Sequence, residues 1–371
     1  MRCKMPCDNV ALIAAAGSGK TTYIVDEVTS NTTDKILLVT YTIANTRKLK
    51  KDIEAKVGVI PSNVEIMTWH SFLLQHCIRP FRSVAYPRRI ERIDFDAKIT
   101  NYKIPESNTR AFYFSSYNAL YKDRATKFAL KCNSLSENAV IERLESIYSL
   151  IYIDEVQDMA GEDLDLLELL YASKSKIVAV GDIRQAIYFT CNAPKNKGNR
   201  GSKLLDYFRK LEKRGLLSVQ FQDYSYRCKQ PICDLSDSLF PSIDEKTTSL
   251  NNKDCAHEGL YIVKSEDFEA YIRAFAPTVL RWSIASKTPE TAYPFEIKNI
   301  GVSKGATYDH VLIICTDPFK KFVKDGTIPV SEKTKSELYV AITRARYSVA
   351  FVYDQPVFQN IFKVYQPNGL M

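Results

Sequence analysis

The chain of 371 residues lacks any apolar run of the roughly 18 residues that a membrane-spanning helix needs. We do not expect a secretory signal at its start, because the apolar run 10–16 leads directly into the loop described below. The nine cysteines are scattered and none belongs to a C-x-x-C pair, which disfavours a zinc site. We therefore expect a cytoplasmic protein with free thiols.

The composition is that of a globular protein with an adequate core, since hydrophobic residues make up 45% and charged residues 25%. The length is enough for two or three domains of usual size. The net charge of +8 is mildly basic and is compatible with a polyanionic partner.

Short apolar runs alternate with amphipathic segments, which is the pattern of a parallel sheet covered by helices on both faces. The predicted strands of the first half are 10–15, 36–40, 64–67, 150–154, 176–180 and 217–221. The predicted helices between them are 20–30, 44–57, 161–171 and 202–212. A second alternating block has predicted strands near 260–263, 297–302, 311–315 and 347–353. The sequence therefore predicts the α/β fold class with two parallel-sheet domains.

A region from about Pro80 to Asn138 interrupts this alternation. It is rich in arginine, lysine, tyrosine and phenylalanine, and we interpret it as a small subdomain inserted into the first domain. The predicted organisation is a first domain of residues 1–79 and 139–221, the insertion 80–138, and a second domain of residues 222–371. Ligands of parallel sheets bind at the carboxyl ends of the strands, so the site is expected there.

Residues 14–22, Ala-Ala-Ala-Gly-Ser-Gly-Lys-Thr-Thr, have the layout of a phosphate-binding loop. The loop follows a predicted strand and opens a predicted helix, so backbone N–H groups are available to an anion. Lys20 adds a positive charge and Thr21 offers a hydroxyl to Mg²⁺. The strict pattern has glycine where this chain has Ala14, and an ordinary strand-to-helix turn is the alternative.

Two carboxylates, Asp154 and Glu155, stand at the end of the apolar run 150–154. In a phosphoryl-transfer site the first is suited to the Mg²⁺ shell, and the second orients or deprotonates the attacking water. The alternative is an acidic turn in which the aspartate caps a helix. The next strand end carries Gln185, suited to the γ-phosphate or the water, and Tyr188, which offers a face for base stacking.

Eight segments in order resemble the motifs of superfamily 1 helicases of the UvrD/Rep/PcrA type. They are 14–22 (motif I), 39–42 (Ia), 68–72 (Ib), 154–158 (II), 181–188 (III), 225–227 (IV), 302–310 (V) and 337–346 (VI). The resemblance covers nearly the whole chain. Within that family, residues 75–81 (Gln-His-Cys-Ile-Arg-Pro-Phe) are similar, more weakly, to the helicase subunit of Gabija-type antiphage systems.

The resemblance implies two RecA-like P-loop domains that hold ATP and Mg²⁺ between them. Its cofactor-binding positions fall on Ala16, Gly17, Ser18, Gly19, Lys20, Thr21, Thr22, Tyr226 and Gly305. The metal positions are Thr21 and Asp154, and the catalytic ones are Glu155, Gln185, Arg227 and Arg344. In this scheme Glu155 is the base, Tyr226 stacks on adenine, and the two arginines reach the γ-phosphate.

The DNA-binding positions fall on Thr40, Tyr41, Thr68, Trp69, His70 and Tyr188. The aromatic rings are expected to stack on bases, and the hydroxyls and His70 to contact phosphates. Trp69 is alternatively a core residue. His310 is either a nucleic-acid contact or a surface histidine, and Arg344 and Arg346 are alternatively charges at a helix end.

Several family features are absent. No glutamine precedes the phosphate loop, since the first in the chain is Gln75. Thr190 and Cys191 stand where the family has a stacking tryptophan and a phosphate-sensing arginine, and Thr307 replaces a glutamate. Only 72 residues separate Arg227 from Ile300, too few for the large insertion of the family's second domain.

Two functions fit these motifs. The first is an ATP-driven translocase and helicase on single-stranded DNA or a tailed duplex, moving 3′ to 5′ as the resemblance implies. The second is an ATPase subunit that senses DNA for a nuclease partner, in repair or antiphage defence, with little unwinding of its own. A P-loop kinase or transporter ATPase is disfavoured, because motifs Ia, Ib, V and VI have no role in it.

Overall fold

The computed structural model describes residues 8–191, 195–286, 288 and 295–367. Residues 1–7, on which the signal prediction and the thiols of Cys3 and Cys7 depend, lie outside this part. The seven cysteines within it carry free thiols. Of the helices that are described, none combines the length and the apolarity needed to cross a bilayer.

The described chain divides into two compact units. The first contains the described residues of Met1–Ile13, Lys20–Gly181 and Tyr188–Gln220, and the second those of Ala14–Gly19, Asp182–Ile187 and Phe221–Met371. The loop 14–19 therefore clusters with the second unit, although the helix that it opens belongs to the first. The predicted domain boundaries stay a prediction.

The first unit is built on a parallel sheet with a small second sheet beside it. The strands are β1 (Val10–Ala14), β2 (Ile36–Thr40), β3 (Val64–Thr68), β4 (Arg92–Asp94), β5 (Phe114–Ser116), β6 (Ala119–Tyr121), β7 (Leu150–Asp154), β8 (Lys176–Gly181) and β9 (Ser218–Gln222). The large sheet has the order β3-β2-β7-β8-β1-β9, and its pairs from β3 to β1 are parallel. The small sheet, β4-β6-β5, lies within the predicted insertion.

The helices of the first unit pack with their apolar faces buried. They are α1 (Lys20–Ser30), α2 (Ile43–Val57), α3 (Trp69–Phe72), α4 (Thr109–Tyr113), α5 (Ala125–Leu135), α6 (Ala139–Ile147), α7 (Asp163–Tyr171) and α8 (Leu204–Lys213). A π-helical turn, Leu73–Ile78, continues α3. Ile24 and Val28 of α1 and Ile53 of α2 pack on Leu38 of β2, which forms the core on one face of the sheet.

The second unit has its own parallel sheet. Its strands are β10 (Tyr224–Ser225), β11 (Thr248–Ser249), β12 (Gly259–Val263), β13 (Thr278–Arg281), β14 (Ile297–Asn299), β15 (Tyr308–Ile314), β16 (Ala345–Val352) and β17 (Lys363–Val364). The sheet order is β14-β13-β15-β16-β12-β17, with every neighbouring pair parallel, and β10 pairs with β11 separately. The helices are α9 (Gln230–Asp237), α10 (Phe268–Phe275), α11 (Asp317–Asp325) and α12 (Glu332–Ile342).

The α/β fold class with two parallel sheets is confirmed, as are the predicted strands of both halves. The strand predicted at 297–302 is shorter than expected, since it ends at Asn299 and a 3₁₀ turn, Ile300–Ser303, follows. The helix predicted at 161–171 begins two residues later, at Asp163. Both differences lie at element ends, where local patterns are least informative.

Candidate functional site

Two glycines give the loop 14–19 its shape. Gly17 and Gly19 have φ angles of 78° and 86°, a left-handed conformation that side chains rarely adopt. The N–H of Ser18 donates to the carbonyl of Ala15 at 3.2 Å and closes a tight turn. Helix α1 begins directly afterwards at Lys20 and has no acidic residue in its first turn. The loop and the start of the helix are therefore suited to hold an anion.

Within the second unit, the loop packs against the segment that carries Arg227. Ser225 Oγ donates to the carbonyl of Ala16 at 2.7 Å, and the N–H of Tyr226 donates to the carbonyl of Gly17 at 3.0 Å. A Cβ atom at position 17 would lie 2.5 Å from Arg227 Cβ. The structure thus brings motif I and motif IV together, and glycine is required at position 17 by space as well as by conformation.

Arg227 and Arg344 lie close together in the second unit. Arg344 is 1% exposed and donates through Nε to the carbonyl of Val340 and through Nη1 to that of Ala306, both at 3.1 Å. Arg227 is partly buried and donates to the carbonyl of Thr343 at 3.1 Å. Among the described residues, no carboxylate lies within ion-pairing distance of either guanidinium.

Burial lowers the pKa of both arginines, and the charge of Arg227 helps to bring the pKa of Arg344 to about 10. Asp182 acts on both cations from beyond ion-pairing distance, and two cations that are removed from water without an ion-paired carboxylate among the described residues favour an anionic ligand beside them. Arg227 lies directly against Gly17 of the loop 14–19, so the charge of this pair is available to an anion held by the loop.

A buried polar network fixes the start of motif III in the second unit. Asp182 is fully buried and accepts from Tyr339 Oη at 3.0 Å, from Gln185 Nε2 at 2.8 Å and from Arg184 Nε at 3.2 Å. Arg184 also donates to Asp237 Oδ1 at 2.8 Å. Burial raises the pKa of Tyr339, which keeps its hydroxyl protonated. The amide nitrogen of Gln185 is therefore used to hold Asp182.

The carboxylates of motif II are fixed at the carboxyl end of β7 in the first unit. Glu155 has φ of 58° and ψ of 40°, a costly conformation for a residue with a side chain. Its N–H donates to Asp154 Oδ1 at 2.9 Å, and its carboxylate accepts from Gln157 Nε2. A side chain in place of Gly181, at the end of the neighbouring β8, would collide with the amide of Gln157. Backbone strain of this kind is typical of functional sites.

Two of the residues predicted to contact DNA are buried. Trp69 is 1% exposed and donates through Nε1 to Asp163 Oδ1 at 2.9 Å, so it is the core residue that the alternative described. Thr40 is also 1% exposed, and its hydroxyl is bonded to Thr46 Oγ1 at 2.8 Å and to the carbonyl of Thr42 at 3.2 Å. Thr40 is the last residue of β2 and Trp69 is the first residue of α3, and both side chains lie in the packed interior.

Three other predicted DNA-binding residues line one cavity of about 490 Å³ in the first unit, namely Tyr41, Thr68 and His70. The ring of His70 lies 6.0 Å from that of Tyr41 and 4.8 Å from that of Phe95, which also lines the cavity. Burial, helped by the charge of Lys122, lowers the pKa of His70 to about 4, so its ring is neutral at pH 7.

Two aromatic residues that were predicted to stack on bases are exposed, namely Tyr188 (49% exposed) and Tyr226 (61% exposed). Tyr226 makes an edge contact with Tyr224, with the ring centroids 5.4 Å apart. Gly305 has φ of 89° and open space around it, so conformation alone requires glycine there. Thr190, in place of the family's tryptophan, is buried and accepts from the N–H of Ala160 at 3.0 Å.

The remaining predicted residues differ in how far their side chains are exposed to solvent. Ser18 is 1% exposed, whereas Thr21 is partly buried and Thr22 is exposed. Arg346 pairs with Asp309 at 2.7 Å, and His310 bonds to Ser348 Oγ at 2.8 Å. Arg346 is therefore held in an ion pair on the second unit's sheet.

Four residues that build these sites were not predicted as site residues: Ser225, Asp182, Tyr339 and Phe95. The first three lie within motifs IV, III and VI, so their positions in those motifs could have identified them. Phe95 belongs to no motif, and only the fold brings it to His70.

Comparison with known proteins gives a family match and several partial likenesses. The family model described as an AAA domain matches residues 2–190. The chain is 29% identical over 255 residues to the Gabija protein GajB of Bacillus cereus (strain VD045), which is 65% of this chain and 48% of that protein. The chain thus spans about half the length of that curated relative.

Among solved structures, the PRRSV helicase is 15% identical with a TM-score of 0.45, over 93% of this chain and 52% of that one. Arterivirus nonstructural protein 10 (helicase) is 15% identical with a TM-score of 0.44, over 94% of this chain and 60% of that one. Its complex with DNA is 14% identical with a TM-score of 0.44, over 96% and 63% of the two chains.

Proposed function

Because this chain belongs to the AAA domain family, whose model it matches over residues 2–190, we propose that it is an ATP-hydrolysing helicase-type motor that acts on single-stranded DNA. The observation that carries the proposal is the contact of the loop 14–19 with the Arg227 segment. A phosphate-binding loop beside two arginines that form no ion pair among the described residues fits a nucleoside triphosphate, whose γ-phosphate both cations attract. Loss of that phosphate on hydrolysis removes the attraction, which is how a motor of this type changes state.

The residues fit ATP and Mg²⁺. The two left-handed glycines and the start of α1 form a cradle of N–H groups for phosphates, to which Lys20 adds charge. Thr21 and Asp154 are oxygen donors of the kind that Mg²⁺ prefers, and the ion would neutralise charge on the phosphates. Glu155, in its strained conformation, is the proposed base for the attacking water, and Gln185 positions Asp182.

Contacts to DNA are proposed for Tyr41, Thr68, His70 and Tyr188, and Tyr226 is proposed to stack on adenine. The exposed rings of Tyr188 and Tyr226 support stacking, which needs an open face.

The first experiment measures ATP hydrolysis by the purified chain with and without single-stranded DNA. Lys20→Ala is expected to lose hydrolysis and most ATP binding, whereas Glu155→Gln is expected to lose hydrolysis and keep ATP binding. Asp26→Asn, on the exposed part of α1, is the control and should hydrolyse ATP as the parent does. Hydrolysis by Glu155→Gln at the parent rate would contradict the assigned base.

A second candidate is a DNA-stimulated ATPase that senses DNA for a nuclease partner and unwinds little. The likeness to the Gabija protein GajB favours it, together with the loss of the family's stacking tryptophan at Thr190. Duplexes with a 3′ or a 5′ single-stranded tail decide between the two. Unwinding of the 3′-tailed duplex supports the helicase, and DNA-stimulated hydrolysis without unwinding of either supports the sensor.

A further inference from the structure

The cavity of about 490 Å³ in the first unit has walls from two different parts of the chain. One wall is formed by Tyr41 and His70, at the carboxyl ends of β2 and β3. The other is formed by Arg92 and Phe95, from β4 and the turn after it, within the predicted insertion. Its volume lies within the range of small-molecule sites. The insertion therefore completes a cavity that the large sheet alone leaves open.

Phe95 is the exposed aromatic residue of this cavity. Its side chain is 59% exposed, and its ring meets that of His70 at 4.8 Å with an angle of 67° between the planes. Such an edge-to-face contact fixes the ring and leaves much of its surface open to water. A fixed but exposed ring is a platform on which a flat aromatic ligand is able to stack.

Arg92 supplies a positive charge at the rim. Its side chain is exposed and forms no ion pair among the described residues, although the acidic Glu91 also lines the cavity and Asp94 follows on the same strand. By contrast, two hydroxyls of the cavity are already engaged, since Thr68 donates to Ser71 and Thr42 accepts from the N–H of Asn45. The cavity therefore offers stacking and one phosphate contact, with few groups that read the edge of a base.

We propose that this cavity binds one unpaired nucleotide of a single DNA strand, with its base stacked on Phe95 and its phosphate at Arg92. The inference rests on the proposed function and adds to it a subsite built by the insertion. Bases within a duplex have both faces covered by their neighbours, so only an unstacked base enters. Binding is independent of base identity, because stacking and phosphate contacts carry no sequence information.

The test uses the full chain and an oligo-dT strand with one 2-aminopurine, whose fluorescence reports base stacking. Phe95→Ala is expected to weaken binding roughly 10-fold or more and to remove the fluorescence change. Phe95→Tyr keeps a ring and should bind as the parent does. The matched control is Tyr102→Ala, which removes a 73% exposed ring of the same insertion that does not line the cavity.

The phosphate contact is tested by salt dependence. Arg92→Gln should lower the slope of log Kd against log salt by about one, whereas Arg89→Gln, at an exposed position outside the cavity, should leave the slope unchanged. Thermal unfolding midpoints equal to that of the parent establish that each variant is folded.

The outcomes distinguish a failure of the subsite proposal from a failure of the proposed function. A parent chain that neither binds the strand nor hydrolyses ATP faster in its presence overturns the proposed function. A parent that binds it while Phe95→Ala binds equally well, with the same fluorescence change, overturns the subsite alone.

Discussion

At position 17 the backbone conformation and the neighbouring segment both exclude a side chain. We predict that Gly17→Ala lowers ATP hydrolysis at least 10-fold. Its φ of 78° costs about 1 kcal/mol or more for alanine, and the added Cβ would meet Arg227 Cβ at 2.5 Å, so the loop or the arginine must move. Steady-state hydrolysis and nucleotide binding measure the effect.

The matched control for this prediction is Gly58→Ala. Gly58 ends α2 with φ of 83°, but no atom lies within 4 Å of the place that a Cβ would occupy. The Gly58→Ala variant has the same unfavourable φ but no collision, and it should hydrolyse ATP at the parental rate. Equal activity of both variants would show that the close approach to Arg227 does not matter.

Trp69 gives a second prediction at the scale of one residue. Trp69→Phe removes the hydrogen bond to Asp163, a buried carboxyl, and should lower the free energy of unfolding by about 1–3 kcal/mol. Because the ring is buried, the folded variant should bind single-stranded DNA with parental affinity. Urea unfolding and DNA titration measure the two quantities, and a fully folded variant with weakened binding would restore the stacking role.

At the scale of elements, helix α12 carries a structural tyrosine and precedes one of the arginines proposed to reach the γ-phosphate. Its Tyr339 holds Asp182 and accepts from the loop 14–19, and Arg344 follows its end. One of its residues is poorly accommodated: Glu337 is 8% exposed, and its Oε2 has no hydrogen-bond partner among the described residues. Burial raises the pKa of Glu337 to about 7, while Lys333, 3.9 Å away, opposes the rise.

We therefore predict that Glu337→Gln stabilises the protein in a pH-dependent way. A carboxyl whose pKa is higher in the folded chain than in the unfolded chain contributes stability below its unfolded pKa, near 4.5, and that contribution is lost as the pH rises through about 7. The gain from the substitution should be small at pH 5 and reach up to about 3 kcal/mol at pH 8.5. Urea unfolding at both values measures it.

The control is Glu269→Gln on α10, where the side chain is 46% exposed and pairs with Arg273. Its effect on the free energy of unfolding should be small, because the ion pair is exposed to solvent. A gain for Glu337→Gln that is equal at pH 5 and pH 8.5 would mean that the Glu337 carboxyl does not titrate in this range.

At the scale of the whole molecule, the pKa values of all four histidines are shifted in the same direction. Burial is the main cause that lowers the pKa of each one, to about 4 for His70 and His257. The unfolded chain therefore takes up protons near pH 6.5 that the folded chain does not, so stability falls as the pH drops below that value.

We predict that lowering the pH from 7.5 to 5 reduces the free energy of unfolding by about 2 kcal/mol for each of His70 and His257. The Glu337→Gln background suits the measurement, because the carboxyl of Glu337 has the opposite pH dependence. Urea midpoints across this range give the slope, and His70→Gln should reduce it. A midpoint that does not change with pH would contradict the burial of the histidines.

Much of the molecule follows from local pattern. The strands at 36–40 and 150–154 are predicted to the residue, because apolar β-branched runs between turn residues favour buried strands whatever surrounds them. The phosphate loop, its lysine and the carboxylates of motif II are equally local, since each is a contiguous stretch at the end of a strand.

The sequence by itself thus determined the fold class, most strands of the two large sheets and the contiguous motifs, since these depend on spacing along the chain, whereas β13 (Thr278–Arg281) was not predicted. Tertiary structure alone decided that Trp69 is core, that Gly17 lies against Arg227, and that Phe95 reaches His70. The reason is that burial and contact between distant residues depend on which strands become neighbours and what covers them, and no local pattern of residues specifies this.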